Sequence, residues 1–317
     1  MGTLILCAAA IMAAADLPAT FILSGHSISV SAVAVAPDGK TIVSGDEEGS
    51  LRAWDLASRT ELWKIEGHDG RIYAIAFSPD GTRLATAGGD RLVRLWTPSG
   101  QPAETLRGHG QRVYALTFSG DGKTLISSSK DASIRLWDLE SLATRATLSG
   151  HGEGVSGVAL SGDSKTLVSS DRNGIAKVWS LPEGRLDRTI ETGSGGIYSV
   201  ALTADGRTMA TASKGGAASL WDVLNGKRRR DLAGLKPADR VLTARFSPDG
   251  KTLATAGDEC LIHLWNPETG TLLARLDGGT DRITGVAFSN NGKLLAAACG
   301  DKAVRVWVLA SVLATAP

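Results

Sequence analysis

The sequence predicts an all-β protein, a seven-bladed propeller of four-stranded antiparallel blades closed by its amino-terminal strand. Three observations carry that prediction. Tryptophans at positions 54, 96, 137, 179, 221, 265 and 307 recur at steps of 42, 41, 42, 42, 44 and 42 residues. A second marker runs in phase with them: APDGK around Asp38, SPDGT around Asp80, SGDGK around Asp121, SGDSK around Asp163, TADGR around Asp205, SPDGK around Asp249 and SNNGK around Asn291. Two markers sharing one long period signify stacked repeats. Thirdly, 38 glycines and few aromatics other than tryptophan suit many short strands joined by tight turns.

From the amino terminus, the first fifteen residues are small and apolar from Leu4 onward, and Ala13 and Ala15 before Asp16 form a small-x-small cleavage pattern. This reads as an export signal, which would place the mature protein in the periplasm or outside the cell. The stretch has no Lys or Arg, however, and a disordered overhang on a cytoplasmic protein is the alternative. It is too short for a comfortable transmembrane helix. Next comes ATFIL (19–23), a strand-like run before the first repeat. Only ten residues follow Trp307, so the last unit lacks an outer strand that this amino-terminal run can supply. Pairing the two ends closes the ring and removes a free edge.

Each repeat then reads as four strands. In unit two they are IYAIAF, the SPDGT turn, LATAG, a short turn at Gly89-Asp90, LVRLW, and a weaker strand ending near Leu106. Asp-Gly and Asn-Gly provide the positive φ that tight hairpins need. The first three strands are continuously apolar, as expected when both faces of each sheet are covered by neighbours. A ring satisfies every sheet at once. The apolar share of 43% is spread evenly, with no break to divide the chain, so residues 16–317 read as one domain.

The dipeptides Gly25-His26, Gly67-His68, Gly108-His109 and Gly150-His151, followed by Trp54-Asp55, Trp137-Asp138 and Trp221-Asp222, resemble the WD-repeat signature. The resemblance spans about residues 19 to 309. It implies a seven-bladed propeller carrying a buried hydrogen-bond relay of Trp, Ser or Thr, His and Asp in its blades. In blade two the relay maps to Trp96, Thr86, His68 and Asp90, and in blade three to Trp137, Ser127, His109 and Asp131. Blade one places Glu48, and blade four Asn173, at the expected Asp position. Blades five to seven lack the His. On this mapping the relay is complete in two blades.

Enzymatic chemistry has no residue to name. Four of five histidines sit in the repeat signature, and His263 occupies the strand position that Arg52, Arg94, Arg135, Lys177 and Arg305 hold elsewhere. The Asp-Gly pairs lack EF-hand carboxylate spacing. There is no P-loop, dinucleotide fingerprint, G-x-S-x-G elbow or H-E-x-x-H. Cys7, Cys260 and Cys299 show no CxxC spacing, so metal, haem and other cofactors are not expected. Cys260 and Cys299 fall in adjacent blades and are expected as free thiols rather than a disulfide. With 34 basic and 33 acidic residues the net charge is +1, which gives no global attraction to nucleic acid or anionic membrane. The run Lys227-Arg228-Arg229-Arg230 reads as an outer edge strand kept soluble by charge, with an anion patch as the alternative.

The tyrosines are more informative. All three, Tyr73, Tyr114 and Tyr198, begin the innermost strand of a blade. In WD-repeat proteins this position, the residue two before it and the residue before the relay Asp surround the channel mouth, where peptide partners often bind. Here the residue two before is Arg71, Arg112, Arg240 and Arg282 in four blades. Before the Asp position stand Lys130, Arg172 and Lys214, opposed by Glu47 and Asp258. Tyrosine and arginine are enriched at binding hot spots, and arginine forks fit carboxylate or phosphate. The blade-six loop Lys236-Pro237-Ala238-Asp239-Arg240 adds two residues on the same face. The expected function is a non-enzymatic, monomeric scaffold that binds an acidic or phosphorylated partner segment at this rim. The alternatives are a structural subunit of a larger assembly gripped along its sides, and an enzyme with its site in the channel.

Overall fold

A computed structural model describes residues 16–17, 19–235 and 239–310. The candidate export signal in residues 1–15 and residues 236–238 of the blade-six loop lie outside them. Seven antiparallel sheets of four strands follow one another along the chain, each running from its innermost to its outer strand. Blade two, for example, uses Ile72–Phe77, Leu84–Gly88, Val93–Trp96 and Pro102–Leu106. Phe21–Ser24 pairs antiparallel with Ala303–Val308, so the seventh blade takes its outer strand from the other end of the chain. Asp16–Leu17 adds a short parallel edge to the outer strand of blade six, Leu272–Asp277. No helix among the described residues is long and apolar enough to cross a membrane.

The turn chemistry follows from the sequence. Gly81, in SPDGT, has φ +71°, and the neighbouring Asp80 side chain accepts the Thr82 N–H at 3.1 Å. In blade four Ser164 replaces the glycine and still adopts φ +60°, a left-handed conformation that disfavours a Cβ. The core lies between blades. Trp137, buried in blade three, packs with Ala85, Ala87, Val93 and Leu95 of blade two. Stacking continues around the ring, so each sheet buries its neighbour's face.

The relay is more extensive than its sequence mapping. Blades two and three contain it as expected: His68 Nε2 lies 2.7 Å from Thr86 Oγ1 and its Nδ1 2.9 Å from Asp90, and Trp96 Nε1 donates to Thr86 at 2.9 Å. In blade three the corresponding distances are 2.7 Å from His109 to Ser127, 2.9 Å to Asp131 and 2.8 Å from Trp137 to Ser127. Blades one and four are complete as well, which corrects the expectation placed on Glu48 and Asn173. Their acids are Asp46 and Asp171, each 2.8 Å from His26 and His151. These aspartates close the second strand, two residues before the turn position that Asp90 and Asp131 use, and still reach the imidazole. The tetrad depends on where the carboxylate ends, and two backbone positions deliver it there.

Donor logic constrains the proton positions. Indole N–H can only donate and an ionised carboxylate can only accept, so the hydroxyl oxygen accepts from Trp and Nδ1–H donates to Asp; a neutral imidazole then accepts the hydroxyl proton at Nε2. Consistently, burial lowers the pKa of His109 and His151, and this outweighs the attraction of Asp131 and Asp171. Blades five and six keep only the Trp-to-hydroxyl bond, Trp221 to Thr211 at 3.0 Å and Trp265 to Thr255 at 2.8 Å. In blade seven the hydroxyl position is Ala297, and the buried Trp307 Nε1 has no hydrogen-bond partner among the described residues. Cys260 and Cys299 are free thiols, the latter pushed up to about 11 by burial. His263 is buried within the strand Leu261–Trp265, its ring stacked on Trp265.

Candidate functional site

The site is built where the innermost strands begin. Each such strand opens on one face of the ring, and backbone bonds tie its entry loop to the turn between strands two and three. Lys130 N–H donates to Arg112 O at 2.9 Å, Lys214 N–H to Gly196 O at 2.8 Å and Asp258 N–H to Arg240 O at 3.0 Å. A side chain at Gly257 would force that last pair apart, because a Cβ there would lie 1.9 Å from the Arg240 carbonyl. Residues far apart in sequence thereby share one rim.

The three tyrosines and their cations form a connected aromatic and cationic arc. Tyr73 and Tyr114 meet edge to face at 5.1 Å between ring centroids. Arg172 lies over Tyr114 at 5.2 Å and over Tyr198 at 5.0 Å, so one guanidinium bridges two phenol rings of blades three and five. Arg71 covers Tyr73 at 5.2 Å. Such cation–π contacts hold a guanidinium in place without consuming its N–H donors. Burial raises the Tyr114 pKa, opposed by the nearby Arg172, so the phenol stays protonated and can donate.

Charge on the rim is partly compensated. Glu47 accepts from Arg71 at 3.0 Å and from Arg282 at 3.1 Å, one carboxylate between two cations. Asp258 is held by Arg240 through two contacts of 2.6 and 3.1 Å. Arg112 is exposed and reaches Tyr73 Oη at 3.5 Å, and Lys130 and Lys214 are exposed as well. Among the described residues none of Arg112, Lys130, Arg172 and Lys214 has a carboxylate within ion-pair distance.

Below the rim a cavity of about 320 Å³ occupies the channel. Arg71, Arg172, Arg240 and Arg282 line it together with Tyr73, Tyr114 and Tyr198, whereas Arg112, Lys130 and Lys214 stand outside on the open face. Desolvation lowers the Arg71 pKa, Glu47 raises it, and the charges of Arg282 and Arg172 lower it further. The lining includes one residue that the sequence reading passed over, Arg245, whose Nη1 donates to Ala244 O at 3.0 Å and Ser199 Oγ at 3.3 Å. Its signal was available in the repeat: the same position holds Ala34, Ala76, Thr117, Ala159, Ala201 and Ala287 in the other blades.

The run Lys227–Arg230 is largely absorbed by its own blade and the adjoining one. Arg228 stacks on Trp221 at 4.9 Å and donates to Asp231 at 3.2 Å, and Arg229 pairs with Asp222 at 2.7 Å.

Comparison with known proteins agrees with the architecture. The family model described as WD domain, G-beta repeat matches residues 18–55, 59–97, 100–138, 143–180, 184–222, 232–266 and 270–308. Over shorter stretches the chain is similar to Pre-mRNA-processing factor 19 homolog 2 of Arabidopsis thaliana, with 38% identity over 66 residues, 21% of this chain and 12% of that protein. It is 36% identical over 72 residues to the transcriptional corepressor LEUNIG_HOMOLOG of Arabidopsis thaliana, 23% of this chain and 9% of that protein. WD repeat-containing protein 1 of Xenopus tropicalis is 36% identical over 74 residues, 22% of this chain and 12% of that protein. The matched stretch is thus about a tenth of each relative's length.

Proposed function

The chain belongs to the WD-repeat family, and from that premise we propose that it is a non-enzymatic interaction scaffold whose rim binds an acidic or phosphorylated segment of a partner protein. The observation that carries this reading is Arg172, exposed, free of any carboxylate among the described residues, and held between Tyr114 and Tyr198. A cation fixed over aromatic rings keeps its hydrogen-bond fork free for an incoming anion, and little side-chain entropy is left to lose on binding. Arg112, Lys130 and Lys214 surround it on the same face and would draw an acidic chain toward it.

The experiment is a pull-down from a native lysate with the full chain and with Arg112→Glu/Lys130→Glu. The scaffold reading expects partners that are retained by the wild type, released as salt rises, and lost by the double variant. Partners retained equally by both proteins would refute rim binding.

A second reading, a subunit gripped along its sides, has one supporting feature: Leu224 and Leu186, on blades five and four, are 84% and 41% exposed. Partners lost on Leu224→Ser but kept by the rim variant would favour it. Export with removal of residues 1–15 is also part of the proposal, and sequencing the amino terminus of the mature protein tests it.

A further inference from the structure

Arg245 is anomalous in three ways. It is the only residue longer than threonine at its repeat position, where the other blades carry Ala34, Ala76, Thr117, Ala159, Ala201 and Ala287. Its side chain is accessible to water, yet the surrounding protein wall desolvates it enough to lower its pKa. Its recorded hydrogen-bond partners are a hydroxyl and a carbonyl, Ser199 Oγ and Ala244 O, both neutral. A guanidinium that lines a cavity among other arginines, with no carboxylate partner among the described residues, offers its free N–H donors to an anion there.

The position of the guanidinium says where that anion would sit. Arg245 is five residues along the innermost strand from Arg240, but its side chain turns back to Ser199, the neighbour of Tyr198. It therefore stands just below the tyrosine level, in the same cavity as Arg71, Arg172, Arg240 and Arg282. Five arginines line this cavity; Glu47 and Asp258, outside the lining, pair with Arg71, Arg282 and Arg240, and Arg172 and Arg245 have no carboxylate within ion-pair distance among the described residues. Buried Arg71 Nε also has no hydrogen-bond partner there. The cavity volume, about 320 Å³, falls at the low end of the ~300–1,000 Å³ typical of small-ligand sites.

We propose that the channel beneath the rim is a phosphate-group site with Arg245 as its floor and Arg71 and Arg172 as its walls. Arginine forks match the geometry of phosphate oxygens, and the tyrosine hydroxyls and Ser199 supply further polar partners. The group comes either from a free phosphate ion or from a phosphorylated side chain lowered into the channel. The second source rests on the rim-binding reading above, and the first does not.

Isothermal titration of the full chain at low ionic strength distinguishes them, with inorganic phosphate and a phosphoserine peptide as probes and the unphosphorylated peptide as control. Arg245→Ala installs the residue found in five other blades, and Arg245→Met keeps the side-chain bulk; a thermal melt verifies that each folds. Both variants are expected to lose at least tenfold in affinity for the phosphate probe that the wild type binds. Lys251→Glu/Lys293→Glu, at exposed turns on the opposite face, should leave inorganic phosphate binding within about twofold. Binding of inorganic phosphate identifies the free ion as a sufficient ligand, whereas binding of the phosphopeptide alone identifies the partner's side chain. Wild-type protein that binds neither probe, or Arg245 variants that bind as the wild type does, would overturn the proposal. Rim binding is judged separately by a Glu-rich peptide, which the Arg245 variants should still bind and the rim variant should lose.

Discussion

Asp46 Oδ2 lies 2.8 Å from His26 Nδ1, although Asp46 sits two residues after the relay hydroxyl of Ser44, whereas Asp90 sits four residues after Thr86. The same imidazole contact is made from a strand end in blades one and four and from a turn in blades two and three. Removing either kind of aspartate leaves a buried imidazole donor unpaired. Asp46→Ala and Asp131→Ala should each cost about 1–3 kcal/mol. Glu48→Ala and Asn173→Ala, at the positions where sequence alignment alone would seek the acid, should change stability by less than about 0.5 kcal/mol. Urea denaturation of the four variants measures this, and a loss at Asn173 equal to that at Asp131 would contradict the relay as described.

Blade seven offers the converse test. The residue ten before each repeat tryptophan is Ser44, Thr86, Ser127, Ser169, Thr211 or Thr255, and each accepts the indole N–H. Ala297 cannot. Ala297→Ser places an acceptor beside Trp307 Nε1 and should raise stability by about 1 kcal/mol, seen as a higher melting temperature. An unchanged or lower value would mean that the indole is satisfied in another way.

The relay also predicts how stability responds to acid. Folded His109 and His151 have lowered pKa values, so the unfolded chain takes up more protons as pH drops below about 6.5. Stability should begin to fall there. Burial raises the Asp131 pKa, but hydrogen bonds from Ser133, His109 and Gly110 outweigh it and bring the value to about 2. Its contribution is therefore present above the ordinary carboxylate range and lost as pH falls from about 5 toward 2. Denaturant midpoints should decline from pH 7.5 to pH 5 and decline faster below, with a shallower second phase in Asp131→Asn.

Ring closure has its own test. Leu23 is 2% exposed and packs with Val30, Trp54, Val304 and Val306, joining blade seven to blade one. Leu23→Ala should destabilise the whole ring by about 2–5 kcal/mol in one cooperative transition. Ile22 is 51% exposed, so Ile22→Ala should cost much less. Equal effects in thermal melts would mean that the amino-terminal strand does not close the propeller.

What was legible in the sequence was whatever repeats. The tryptophan period and the Asp-Gly turns gave blade number and strand order because each unit must bury the same faces. The relay acids of blades one and four were misplaced because repeat alignment follows backbone position, while the contact depends on where a flexible carboxylate ends. At the rim, the sequence placed Arg71, Arg240 and Arg282 among the cations but did not reveal that Glu47 and Asp258 already engage them. The Glu47 contacts join loops of different blades, Arg282 and Glu47 being 235 residues apart, and Arg240 meets Asp258 across two loops of blade six, 18 residues apart. Arg245 was not legible in the repeat pattern because such a pattern exposes residues that recur, and the information at this position lies in failing to recur.

The most direct test of the account is the affinity of a short Glu-rich peptide for the wild type, for Arg112→Glu/Lys130→Glu, and for Lys251→Glu/Lys293→Glu. The last pair makes the same charge change at exposed turn positions on the opposite face. Fluorescence anisotropy should show binding that weakens as ionic strength approaches physiological values, where screening acts within about 8 Å. The rim variant should lose at least tenfold while the opposite-face variant stays within about twofold of the wild type. Loss in the opposite-face variant with full binding by the rim variant would contradict the account.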